Sequence, residues 1–282
     1  ELVMASDPDA DRVGAAVKNN EGEWVLLNGN QTALMFVYYL ITRWKELGKI
    51  NGKEYIVKTI VTTETIKTIA ERNGVEMYDV YTGFKWIANV MRENEGKKNY
   101  IGGGEESYGF LCEDFVRDKD AVSACVILAE IAAWAKDQGL SLYQLLQKIY
   151  VEYGFSKEKG ISVVKKGKSG AEEIEAMMKK FRENPLTEIA GSKVTYFYDY
   201  STLKGKDYAE NETVTLDMPT TSNVLQYFTE DNTKVSIRPS GTEPKIKFYC
   251  EVHSKVKSID ELPEAEKAAE EKINQIKASL GI

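Results

Sequence analysis

From Leu26 to Gly48 the chain reads LLNGNQTALMFVYYLITRWKELG, where a polar turn at Asn28, Gly29 and Asn30 gives way to apolar residues at helical spacing until a glycine stops them. That spacing predicts a helix, preceded by a short strand pair around a polar loop. The pattern then shortens and repeats. YIVKTIVTT (55–63) reads as a buried strand, TETIKTIAERNG (63–74) as a helix ending at Gly74, VEMYDVYTG (75–83) as a strand and FKWIANVMRENEG (84–96) as a helix. NYIGGGEESYGFL (99–111) predicts a strand and a glycine-rich turn, and DAVSACVILAEIAAWAKDQG (120–139) a long apolar helix with Asp120 as N-cap. Alternating strands and helices imply a parallel-type α/β layer, expected as a three-layer mixed-sheet α/β domain, whose ligand groups gather at the carboxyl ends of the strands. TGFK and GGGEES fall there.

After YVEYGFSKEKG the character changes. A Lys/Gly/Ser segment, ISVVKKGKSG (161–170), precedes a charged helix, AEEIEAMMKKFREN (171–184), closed by Pro185. Antiparallel-looking strands follow (KVTYFYDYST, SNVLQYFTEDNTKVSIRPSG, PKIKFYCEVHS), then an amphipathic helix, LPEAEKAAEEKINQIKASL (262–280). A boundary near residue 156 and a small carboxyl-terminal α+β domain are expected.

Composition narrows the function classes. The 282 residues are 43 % hydrophobic and 29 % charged, and no apolar run approaches the roughly 20 residues of a membrane span. The start, ELVMASDPDADRVG, has no signal-peptide pattern, and it opens inside a strand-like run, as if cut from a larger protein. Cys112, Cys125 and Cys250 are odd in number, far apart and in apolar surroundings; neither a disulfide framework nor a zinc site is implied, and a reducing cytoplasm fits. A net charge of −7 argues against a nucleic-acid-binding surface, so any phosphate recognition must be local. The single histidine, His253, excludes chemistry needing several, and reads as a strand-end surface residue.

Four short segments could carry chemistry. In ASDPDADRVGAAV (5–17), Asp7, Asp9 and Asp11 stand at alternate positions and can converge on one hard cation such as Mg²⁺. An EF-hand is excluded, since its required Gly and closing Glu would fall on Arg12 and Lys18. A phosphatase-type loop with an aspartate nucleophile, and a solvated turn in which Asp side chains cap backbone N–H groups, remain alternatives. Three carboxylates this close repel one another unless a cation sits between them, which favours metal. GGGEESYG (102–109) has no Lys to meet a phosphate, while Glu105 and Glu106 accept well from neutral donors such as sugar hydroxyls; an exposed acidic β-turn is the other reading. SIRPSGTEPKIKF (236–248) joins Arg238, Ser240, Gly241 and Thr242 into a possible anion cradle with Lys245 and Lys247 nearby, although Pro-Ser-Gly-Thr also makes a hairpin turn. TGFKW offers Thr82, Gly83 and Lys85.

Together, in this order and at these intervals, the acidic loop, Thr-Gly turn, Glu-Glu-Ser loop and Arg-Pro-Ser-Gly-Thr loop resemble the α-D-phosphohexomutase family, which includes phosphoglucomutases and phosphomannomutases. The resemblance implies four domains around a cleft. A phosphoserine exchanges phosphoryl groups with a hexose monophosphate through a hexose 1,6-bisphosphate. Asp7, Asp9 and Asp11 would hold Mg²⁺, and Arg12 would lie near the transferring phosphoryl. Thr82, Gly83 and Lys85 would line the sugar site, Glu105 and Ser107 would hold sugar hydroxyls, and Arg238, Ser240, Gly241 and Thr242 would grip the other phosphate. It further implies that residues 1–45 are the tail of a second domain with the metal loop, 46–156 a third, sugar-binding α/β domain and 157–282 a fourth, phosphate-binding α+β domain. The family's serine loop and general base have no counterpart here, so the expectation is a carboxyl-terminal portion that needs its amino-terminal domains to turn over. GGGEESYGF followed by RDKDAVSA resembles the glucose-preferring and broad-substrate branches of the family, which implies glucose phosphate ahead of mannose or pentose phosphates. From other classes, a non-catalytic sugar-phosphate-binding module and a metal-dependent phosphatase remain expectations to set against it. Neither nucleic acid nor membrane is expected as a partner.

Overall fold

The computed structural model describes residues 1–165, 167–241 and 243–282, except the side chain of Lys168. Two compact units divide the chain, Glu1–Gly154 with Val256–Ile259, and Phe155–Lys255 with Asp260–Ile282.

The first unit begins with strands β1 (Leu2–Ser6), β2 (Val13–Lys18) and β3 (Trp24–Leu27), followed by helix α1 (Gly29–Glu46). The expected strand pair is thus an antiparallel three-stranded sheet, because WVLL pairs with β2 through Ala15↔Leu27 to Lys18↔Trp24. Helix α1 starts at a capping box: Asn28 Oδ1 accepts from Gln31 N at 2.9 Å and Gln31 Oε1 from Asn28 N at 3.0 Å. Then come β4 (Glu54–Thr59), α2 (Thr65–Arg72), β5 (Glu76–Val80), α3 (Phe84–Asn94), β6 (Asn99–Gly104), β7 (Phe110–Cys112), α4 (Ala121–Asp137) and α5 (Leu142–Tyr153). The second sheet runs β5-β4-β6-β7, parallel across its first three strands and antiparallel at the last. Helix α3 covers one face with Phe84, Ile87 and Met91 on Tyr55, Val57, Val80 and Tyr100. Helix α1 packs on β6, with Phe36 stacked on Phe110 at 4.5 Å. The result is a three-layer, mixed-sheet α/β fold. Asp120 caps α4 as expected, accepting from Ser123 N at 2.8 Å.

Three sequence expectations change. Gly102–Gly104 lie inside β6 rather than in the turn, since a Cβ on Gly103 would fall 2.4 Å from the Val57 carbonyl oxygen. Helix α5 was unforeseen. The Lys/Gly/Ser segment begins within strand β8 (Phe155–Val164), which pairs along its whole length with β15.

The second unit continues with α6 (Gly167–Glu183), β9 (Glu188–Ile189), β10 (Ser192–Asp199), β11 (Lys204–Asp207), β12 (Glu212–Thr215), β13 (Leu225–Thr229), β14 (Lys234–Pro239), β15 (Lys245–Ser254) and α7 (Leu262–Leu280). Its antiparallel sheet is ordered β12-β11-β10-β13-β14-β15-β8, with β9 beside β10. Helices α6 and α7 pack on β15, where Phe181 meets Phe248 edge-on at 6.3 Å. His253 is not a plain surface residue. Its Nε2 sits 2.8 Å from Oε1 of buried Glu251, whose Oε2 takes Lys234 Nζ at 2.8 Å. Burial lowers the His253 pKa, but the Glu251 carboxylate outweighs it and holds the value above the usual one. Among the described residues no helix is long and apolar enough to cross a membrane.

Candidate functional site

The acidic loop links β1 to β2 and closes on itself. Asp7 Oδ1 accepts from the backbone of Asp11 at 3.1 Å and of Arg12 at 3.0 Å, so the turn wraps around the Asp7 carboxylate. Burial alone would raise the Asp7 pKa, but these two N–H donors, with a hydrogen bond from Asp9 and the Arg12 charge, together hold the carboxyl below its usual value. Asp7, Asp9 and Asp11 each bring one carboxylate oxygen within 4.8 Å of the others. Asp11 Oδ1 is buried and has no hydrogen-bond partner. That set of hard oxygen donors, with one oxygen left over, fits a Mg²⁺-sized cation. The exposed Arg12 guanidinium leans over the loop, its Nε 3.6 Å from Asp11 Oδ1 and 3.9 Å from Asp7 Oδ2.

Sequence reasoning missed Lys119, whose Nζ is 2.6 Å from Asp11 Oδ2. Burial lowers its pKa, but the carboxylates of Asp11 and Asp118 together outweigh it and raise the value. The contact joins residues far apart in sequence, and only the RDKD run of alternating charge marked the position.

The glycine-rich turn is stitched to the acidic loop. Val13 N donates to Tyr108 O at 3.2 Å, Arg12 and Gly109 form an antiparallel bridge, and Ala121 N donates to Ala10 O at 3.0 Å. Within the turn, Glu105 N donates to Gly109 O at 2.9 Å. Across the sheet, Gly83 N donates to Glu105 Oε1 at 2.7 Å, joining the Thr-Gly turn after β5 to the Glu-Glu-Ser turn after β6. Between them, at the end of β4, Thr59 Oγ1 donates to Glu106 Oε2 at 3.2 Å. Glu105 is buried, and Thr82, Gly83 and Ser107 are half-buried. Lys85 is exposed and lies over the Trp86 ring. The first turn of α1 backs this cluster: a Cβ on Gly29 would fall 2.0 Å from the Glu106 carbonyl oxygen, so only glycine fits.

In the second unit Arg238 ends β14 opposite Lys247 of β15. Ser240 N donates to Lys245 O at 2.7 Å, and Ser240 Oγ accepts from Glu243 N at 3.3 Å, folding the turn back on itself. Lys245 pairs with Glu243 at 2.8 Å, and that bond holds the Glu243 carboxyl below its usual pKa. Arg238 is half-buried with no ion pair among the described residues, and Gly241 is exposed with open space where a Cβ would sit. Thr242 lies outside the described residues.

Solved structures share this architecture. A phosphoglucomutase/phosphomannomutase family protein from Burkholderia thailandensis superposes with a TM-score of 0.59 at 17 % identity, over 100 % of this chain and 47 % of its own. The open form of parafusin, a phosphoglucomutase from Paramecium, gives 0.58 at 17 % identity, over 97 % of this chain and 45 % of its own. The fold is that of the phosphohexomutases. The description "Phosphoglucomutase/phosphomannomutase, alpha/beta/alpha domain III" matches residues 28–153, and the C-terminal domain of the same family matches 162–269. The chain belongs to the phosphoglucomutase/phosphomannomutase family. Phosphoglucomutase of Staphylococcus aureus (strain MRSA252) is 38 % identical over 249 residues, 88 % of this chain and 44 % of that protein. That of Staphylococcus haemolyticus is 34 % identical over 252 residues, 89 % and 45 %. The chain thus spans under half the length of these relatives.

Proposed function

We propose that the chain supplies the metal loop, sugar-binding turns and phosphate anchor of a Mg²⁺-dependent phosphosugar mutase in the cytoplasm. Its reaction interconverts hexose 1-phosphate and hexose 6-phosphate, glucose favoured, through a phosphoserine and a hexose 1,6-bisphosphate. The observation that carries this reading is the union of three distant motifs: the acidic loop bonds to the 105–109 turn, which accepts from Gly83 N at 2.7 Å.

Asp7, Asp9 and Asp11 would hold the cation, which when bound offsets charge on the transferring phosphoryl group. Arg12, exposed beside that loop, donates to phosphoryl oxygens. Gly83 N–H fixes the Glu105 carboxylate, whose remaining acceptor capacity, with the Ser107 hydroxyl, reads sugar hydroxyls. Groups of this kind, which read neutral hydroxyls, accept the sugar with either end presented, as a mutase requires. Arg238, beside Ser240 and Gly241, anchors a phosphate by charge-assisted hydrogen bonds. No serine of this sequence matches the family's nucleophile, so a phosphoserine-bearing portion must come from outside these residues.

The product of the full reading frame that encodes this chain tests the proposal, with kcat/KM measured on glucose 1-phosphate, mannose 1-phosphate and ribose 1-phosphate. Mg²⁺-dependent turnover highest on glucose 1-phosphate is expected, and no turnover from these residues alone. Phosphate release without isomerisation would replace the mutase by a phosphatase, and binding without turnover by a sugar-phosphate-binding module.

A further inference from the structure

Helix α4 is apolar over most of its surface, with Glu130 and its last turn carrying its charge. Its inner face, Ala124 and Leu128 among others, is buried, and the helix packs on β1, β7 and α1. Yet outward-facing Val122 and Val126, one turn apart, are 64 % and 62 % exposed, and the loop leading into the helix adds Phe115 at 60 %. A contiguous exposed apolar stripe of this kind marks an interaction surface.

The stripe is continuous with the acidic loop. Phe115, Val116 and Val122 line the same open depression, of about 640 Å³, as Asp9, Asp11 and Lys119. Whatever covers Phe115 and Val122 therefore also stands beside the metal-loop carboxylates. A second copy of this chain is a poor occupant, because two-fold packing on this patch would bring each acidic loop toward its own image, like charge against like. The relatives point elsewhere. The matched region is only 44–45 % of their length, so more than half of a phosphoglucomutase-length polypeptide lies beyond it.

We infer that the Phe115–Val122–Val126 stripe is the docking face for the serine-bearing portion of the mutase. Docking there and delivery of the phosphoryl carrier to Asp7, Asp9 and Asp11 are then one event. The inference rests on the mutase reading for the identity of the occupant.

The test places the photo-crosslinking residue benzoylphenylalanine at Val122 or at Val126 in the full reading-frame product, with Glu71, exposed on α2, as control position. Irradiation is expected to join positions 122 and 126, and not 71, to a segment carrying the serine loop, as mapped by mass spectrometry. Val126→Asp with the crosslinker at 122, or Val122→Asp with it at 126, should lower that yield by about tenfold, roughly the loss for one valine kept from burial, while circular dichroism stays native. Crosslinks to a second copy of this chain, or none at either valine, would overturn the inference. Glucose 1-phosphate turnover is assayed on the same uncrosslinked protein, so a serine-segment crosslink in an inactive protein would sink the mutase reading and leave the docking face standing.

Discussion

Lys234→Met is the substitution whose cost can be worked most directly from the structure. Lys234 and Glu251 face each other across β14 and β15, 1 % and 3 % exposed, with Nζ 2.8 Å from Oε2. Burial raises the Glu251 pKa, but the opposing charges of Lys234 and His253 outweigh it, and the carboxyl is held well below the usual range. Removing Lys234 strands a carboxylate out of water with His253 as its remaining partner in the pair network. Breaking a buried pair from one side costs about 3–5 kcal/mol. With a urea m-value of about 2 kcal/mol per molar, the midpoint of the second unit should fall by about 1.5–2.5 M. All four tryptophans, Trp24, Trp44, Trp86 and Trp134, lie in the first unit, so fluorescence is the wrong readout. Hydrogen exchange of the β14 and β15 amides through a urea series is the right one. Adding Glu251→Leu should recover at least half the loss, because two apolar side chains leave no lone charge. A midpoint shift below about 0.5 M, or no recovery in the double variant, would refute the reasoning.

Other outcomes follow from the same geometry. His253 has a raised pKa, so its contribution is fully present below the unfolded value of about 6.5 and is lost as pH rises through the folded value; His253→Asn, facing Glu251, Glu158 and Lys234, should flatten that slope in urea melts from pH 6 upward, roughly the window above the unfolded pKa. Asp11→Asn should weaken Mg²⁺ binding by at least about tenfold in calorimetry of the full reading-frame product; unchanged affinity would return the loop to a solvated turn. Gly29→Ala should destabilise the first unit by about 1–3 kcal/mol, because its Cβ would sit 2.0 Å from the Glu106 carbonyl oxygen; an unchanged melting temperature would show that the 105–109 turn yields freely. Arg238→Ala should cost about 1.5–3 kcal/mol of glucose 1-phosphate binding if its charged hydrogen bond is made, and equal affinity would reduce the 238–245 segment to a hairpin turn.

Elements that stabilise themselves locally were legible. Helix α1 carries its own apolar stripe, an Asn28 cap and a glycine stop, and each of these acts within a few residues. Helix α5 carried a local signal too, since Ser141 and Gln144 form a capping box two residues after the Gly139 stop. Strand β8 had no such signal. SKEKGISVV is too charged to read as a strand, and it is one because ten residues pair with β15. The site divides the same way. Carboxylates at alternate positions of a loop announce metal chemistry by type and spacing, whereas the contacts from Lys119 to Asp11 and from Gly83 to Glu105 exist only once the chain has folded. Strand register decides the second contact. β5 and β6 flank β4 in parallel, so their carboxyl ends emerge side by side with Thr59 between them. A one-residue slip of β6 along β4 would turn Glu105 to the opposite face and take away the acceptor for Gly83 N–H. The close approach of Gly103 to the Val57 carbonyl, which a Cβ would block at 2.4 Å, helps to hold that register. The glycine run that looks like a loop signal in the sequence is therefore part of what brings the two sugar-binding turns together.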